Sequence, residues 1–102
     1  MFIVELTYKV PLSEVDKYQI AHREFLDYHY KQGLLLASGP QKPRTGGILI
    51  AITTDRAHLE SILKQDPFCM ADIADYRLIE FIPVKHRAEI QQLILEKEGK
   101  LC

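Results

Sequence analysis

The chain has 102 residues, with 13 Lys+Arg against 14 Asp+Glu, 47% hydrophobic and 26% charged residues, which is the composition of one soluble globular domain spanning 1–102. A net charge of -1 supplies no broad positive field, so neither nucleic acid nor an anionic membrane surface is expected as a partner. No apolar run approaches the roughly 20 residues of a membrane span, and Met1 to Glu5 do not form a basic-then-apolar leader, so a reduced cytoplasmic setting is expected.

Surface scaling for this mass gives about 5,900 Å² folded against about 17,000 Å² unfolded, so about 65% of the surface should be buried, enough for one modest core without disulfides or metal. Cys69 and Cys102 lack metal-ligand spacing, and His22, His29, His58 and His86 show no local metal signature, so neither a metal nor a cofactor is expected.

Residues 2 to 8 alternate, with Phe2, Val4, Leu6 and Tyr8 opposed to Ile3, Glu5 and Thr7, the pattern of a half-buried strand. Pro11 breaks it. Ser13 is placed to cap a helix from about Glu14 to Lys31, where Val15, Tyr18, His22, Phe25, Leu26 and His29 recur at three- and four-residue steps. Gly33 stops it. Leu34 to Ala37 and Ile48 to Ile52 are continuous apolar runs, read as strands covered on both faces, and the turn-rich stretch Gln41 to Gly47 joins them. Asp55 can cap a second helix, ending near Gln65. After Asp66-Pro67-Phe68 and a short turn, Tyr76 to Phe81 alternates as the last strand, and residues 87 to 97 resume helical spacing before a polar tail ending at Cys102.

Strand, helix, strand, strand, helix, strand is the βαββαβ order of ferredoxin-like α+β domains. It predicts a four-stranded antiparallel sheet with both helices on one face and an extra C-terminal helix. The other face would carry more apolar surface than a monomer usually exposes, so a homodimer packed sheet on sheet is expected.

Few residues are placed to carry chemistry. His22 lies near the middle of the apolar arc of the long helix, aimed at the sheet, with a side chain that gains or loses a proton near neutral pH. The competing reading is a buried, purely structural histidine. His29, near the helix end, reads as a favourable charge on the dipole. Asp66 before Pro67 reads as the cap of a short helix, but one of its oxygens could cap while the other orients an imidazole. Ser38 and Gly39 end a buried strand where backbone and hydroxyl could meet a ligand. Arg44 could clamp a carboxylate or phenolate, or be simply solvated. Gly46-Gly47 is no phosphate loop, and Cys69 reads as a small buried hydrophobe.

Ala21-His22-Arg23-Glu24-Phe25-Leu26, Leu36-Ala37-Ser38-Gly39-Pro40, Pro43-Arg44-Thr45-Gly46-Gly47, Asp66-Pro67-Phe68 and Ile79-Glu80-Phe81-Ile82-Pro83-Val84, in that order, resemble the YCII-related family as far as Lys85. The resemblance implies a ferredoxin-like, dimeric α/β-barrel fold and a His and Asp pair in a pocket between sheet and helices. It places those catalytic roles on His22 and Asp66, with Ser38 and Gly39 lining the pocket; Arg44 and Phe68 join them as substrate-binding residues. Where the family usually has Ala-Gly-Leu, this chain has Ala71-Asp72-Ile73, which is expected to put a charge and a side chain beside the pocket.

Two functions follow. One is a small cofactor-free enzyme doing acid-base chemistry on a small polar or aromatic molecule, of lyase or hydrolase type: elimination, as in the dehydrochlorination known in the family, or tautomerisation. The alternative is a non-catalytic small-molecule binding or regulatory dimer, which the fold by itself does not separate from the first. RNA binding is disfavoured because Ile3, Glu5 and Thr7 offer no stacking aromatics. A haem role finds no axial ligand that stands out.

Overall fold

The computed structural model describes residues 1–98. Its strands are β1 (Phe2–Tyr8), β2 (Leu35–Pro40), β3 (Gly46–Ala51) and β4 (Ala74–Glu80), in the spatial order β2-β3-β1-β4. All neighbouring pairs are antiparallel. The helices are α1 (Leu12–Asp16), α2 (Gln19–Lys31), α3 (Arg56–Leu63), α4 (Pro67–Met70) and α5 (Gln91–Glu98), with a 3-10 turn at Ala88–Ile90. This is the expected ferredoxin-like order with an added terminal helix. Cys102 and the end of the tail lie outside the described residues.

The alternation in β1 sorts its side chains as the sequence pattern requires. Phe2, Val4 and Leu6 are buried, and the register sets Leu49 of β3 and Leu78 of β4 opposite Val4. With Leu26, Leu59, Leu63 and Phe68 from the helices they form the main core. At about 25 cal/mol per Å² of apolar area, this burial is the chief force holding α2 and α3 on the sheet.

Two local expectations are corrected and one holds. The helix expected over 14 to 31 is two helices, because Tyr18 leaves helical geometry (φ -108°, ψ 2°). The break lets buried Val15 reach the core from α1 while α2 runs on its own axis. Ser13 does not cap, since α1 starts two residues earlier than expected, at Leu12, and its cap position is Pro11, whose carbonyl accepts from the Glu14 and Val15 amides. Asp55 caps α3 as expected, accepting from the His58 amide at 3.0 Å.

The second face of the sheet also differs from expectation. Met1, Ile52 and Ile94 form a separate buried cluster with Leu36, Ile50 and Ile90 against it. The C-terminal helix therefore covers one end of that face itself, while Ile79 and Phe81 stay 39% and 40% exposed.

Gly46 shows how tightly β1 and β3 approach. A Cβ there would sit 1.7 Å from the Leu6 carbonyl oxygen, whereas one on Gly47 would meet the Gly39 oxygen at 3.3 Å. Gly46→Ala is therefore expected to lower the urea unfolding midpoint by the equivalent of about 1–3 kcal/mol or more, with Gly47→Ala costing less. Equal midpoints for the two variants would contradict the close approach.

Candidate active site

The site is built around a carboxylate that the chain has little freedom to place elsewhere. After α3, Asp66 takes extended geometry (φ -63°, ψ 128°) and Pro67 opens α4 at its first position, where the missing N–H costs nothing. Asp66 Oδ1 accepts from the Phe68 amide at 3.0 Å, and the Asp66 carbonyl accepts from the Cys69 and Met70 amides at 2.8 and 2.9 Å. The local sequence thus fixes both the backbone and one carboxylate oxygen.

Tertiary packing brings two further donors. His22, from the second turn of α2, places Nδ1 2.8 Å from the same Oδ1. Tyr76, from β4, donates its hydroxyl to Oδ2 at 2.6 Å. Asp66 is fully buried and the His22 side chain only 12% exposed. A carboxylate only accepts, so Nδ1 carries the proton and Nε2 is left as the acceptor nitrogen. The ring plane is set independently: the imidazole stacks on Phe68 with centroids 3.9 Å apart and 4° between planes, and Tyr8 braces Phe68 edge-on at 6.0 Å.

His22 and Phe68 form part of the wall of a cavity of about 230 Å³ between α2 and the strands, completed by Leu6, Leu26 and Leu49, the Ser38-Gly39-Pro40 segment, and Tyr8, Gln19 and Arg23. The His22 imidazole, backed by the buried Asp66, thus lines a mainly apolar cavity that also carries Arg23 and Tyr8. Such a site can accept or return a proton at Nε2 while Asp66 stabilises the imidazolium that forms.

The residues singled out from the sequence divide. His22, Asp66, Phe68, Ser38 and Gly39 come together at or around the cavity. The Ser38 hydroxyl is 2.6 Å from the Tyr30 hydroxyl, and the space a Cβ on Gly39 would fill is open. Arg44 is engaged elsewhere: it donates to Asp16 at 2.6 Å and to Gln19 at 3.2 Å, and the bond to Asp16 raises its already high pKa. It lies outside the cavity wall.

The expected division of Asp66, with one oxygen for the cap and the other for the imidazole, is corrected. Oδ1 serves both, because the Phe68 amide and Nδ1 approach it together, and Oδ2 belongs to Tyr76. Asp72 is corrected too. It is 84% exposed, pairs with Lys9 and faces a groove between α3 and β4, away from the His22 cavity. Its φ of 54° is left-handed, the geometry in which glycine is easiest and Asp among the better-tolerated side chains. His29 is not a helix-end cation by preference. Burial, and then the nearby charge of His58, push its pKa below the ordinary histidine value.

Tyr76, Tyr8, Gln19 and Arg23 were not identified from the sequence as site residues. Tyr76 appears there only as one apolar position of an alternating strand; its parity with Leu78 marks it as inward, but nothing local marks Asp66 as its partner.

A ferredoxin-like α+β domain with a buried His and Asp pair on the helix side of its sheet is thus defined by geometry. The model of the YCII-related domain matches residues 1–82, and the chain belongs to that family. No curated protein matches it. Among solved structures it is similar to the 5-chloro-2-hydroxyhydroquinone dehydrochlorinase of Burkholderia phenoliruptrix AC1100, in complex with 2,5-dihydroxybenzoquinone. The likeness has a TM-score of 0.66 at 20% identity and covers 87% of this chain and 98% of that one. It shows a shared fold.

Asp66→Ala removes the cap and strands the buried Tyr76 hydroxyl and Phe68 amide. It is expected to destabilise by about 2–5 kcal/mol in urea, and Asp66→Asn, which retains an acceptor oxygen for the cap, by clearly less. Equal losses would mean that the cap is not what holds this corner.

Proposed function

We propose that the protein is a small enzyme that needs no cofactor and uses His22 as a general acid and base, oriented by Asp66. The observation that carries this is the 2.8 Å bond to a fully buried carboxylate from Nδ1 of His22, which lies in the cavity wall. The cavity of about 230 Å³ lies below the range of about 300–1,000 Å³ typical of drug-sized ligands, which favours a molecule of about one ring. The Phe68, Leu6, Leu26 and Leu49 walls suit an aromatic face, and Ser38 can donate to a developing oxyanion or phenolate. The dehydrochlorinase with the same fold supports elimination from a hydroxylated aromatic. In this reading the substrate reacts as its keto tautomer, with chlorine on an sp3 carbon: His22 Nε2 takes the proton of a substrate hydroxyl, the O–H pair forms a carbonyl, the displaced π pair forms a new C=C bond, and chloride leaves with the carbon-chlorine bonding pair.

The chain would be assayed with 5-chloro-2-hydroxyhydroquinone and with unchlorinated hydroxyquinols, following chloride release and solvent-deuterium uptake. Turnover is expected to fall at least about 100-fold in His22→Ala and in Asp66→Asn. Full turnover in either variant overturns the mechanism. A compound bound tightly, recovered unchanged and raising the melting temperature would support a binding or regulatory dimer instead.

We also infer that the open part of the second sheet face, around Ile79 and Phe81, packs against a second copy. Size-exclusion chromatography with light scattering should give twice the 11.8 kDa chain mass, and a monomer would overturn the inference. Among the described residues no helix is long and apolar enough to cross a membrane.

A further inference from the structure

The bond from Tyr76 to Asp66 has no place in the acid-base scheme as stated, yet it is the shortest contact the carboxylate makes. Oδ1 has two donors, the Phe68 amide and His22. Oδ2 has Tyr76. With Asp66 fully buried, an Oδ2 without that donor must find another partner, take up a proton or turn, and each of these disturbs the oxygen that holds the imidazole.

We propose that Tyr76 is a positioning residue: its hydroxyl, donated to Oδ2, keeps the carboxylate turned so that Oδ1 holds the proton of His22 on Nδ1 and Nε2 is presented to the cavity. The inference rests on the reading of His22 as the acid and base, and it adds a third member, reached from a different element of the fold.

Three features suit Tyr76 to this. It sits on β4, opposite Leu6 of the inner strand β1, and Leu6 is a buried residue of the cavity wall, so the phenol is carried by a strand hydrogen-bonded to the sheet interior rather than by a loop. Its pKa is pushed above the ordinary tyrosine value, first by burial and then by the Asp66 charge and hydrogen bond, so it stays a donor throughout the working pH range. The polarity of the chain is also fixed: Tyr76 O–H donates to Asp66, and His22 Nδ1–H donates to Asp66, which leaves only Nε2 to accept.

The test needs no substrate for its main readout. The full-length chain, labelled with 15N, reports the His22 tautomer through its ring nitrogen shifts at neutral pH. The expected result is an Nδ1–H tautomer in the unmodified protein and a shift of population towards Nε2–H in Tyr76→Phe. On a substrate found by the assay above, kcat should fall about 10–100-fold with KM changing less. If Tyr76→Phe does not fold, 3-fluorotyrosine incorporated at position 76 keeps the shape and strengthens the donor, and the His22 Nδ1–H resonance should move. Unaltered His22 nitrogen and Nδ1–H signals in the folded variant, or with the fluorinated residue, overturn the proposal. Absence of turnover in the unmodified chain would instead count against the enzymatic reading, while the tautomer shift would still report on Tyr76.

Discussion

A buried carboxylate cannot be left without donors, and satisfying Asp66 organises this molecule. An ionised group removed from water without partners costs several kcal/mol, so its neighbours are constrained far more strictly than those of a core leucine. Asp66 takes three donors from three elements: the α4 amide of Phe68, His22 of α2 and Tyr76 of β4. Moving any of these elements exposes an unmet polar group. The bonds that could serve catalysis therefore also fasten the long helix and the edge strand to the corner between α3 and α4.

The same geometry separates the roles of the charged side chains. The imidazole is stacked on Phe68 and tied to Asp66, so little conformational freedom remains to be lost when a ligand enters. Arg44 is held by Asp16 and Gln19 and steadies the junction between α1 and α2. Asp72, with Lys9, belongs to the outer surface near β4. The cavity thus presents the imidazole of His22 beside the apolar Leu6, Leu26, Leu49 and Phe68 walls, with Arg23 and Tyr8 as the other ionisable side chains of its lining.

The far side of the sheet follows a different rule. Hydrophobic cover is not directional, so any apolar surface of suitable shape can supply it. The C-terminal helix does so at one end through Ile94, with Met1 and Ile52 beneath it. Apolar excess on a sheet reveals that cover is needed; it does not reveal which segment supplies it.

The alternation of β1, the apolar runs of β2 and β3 and the caps at Asp55 and Asp66 are all governed by neighbours within a few residues, so the order of elements and the ferredoxin-like sheet were legible from the sequence. So was the placing of His22 on the inward arc of α2, because helical periodicity is a local property. The break at Tyr18 was not legible, since it reflects how Val15 and α2 reach the core separately. Nor were the sharing of Oδ1 between cap and imidazole, the diversion of Arg44 to Asp16 and the Tyr76 hydroxyl on Oδ2. Each of those bonds joins residues 10 to 44 positions apart, and only the register of β4 against β1 and the docking of α2 on the sheet decide which side chains meet.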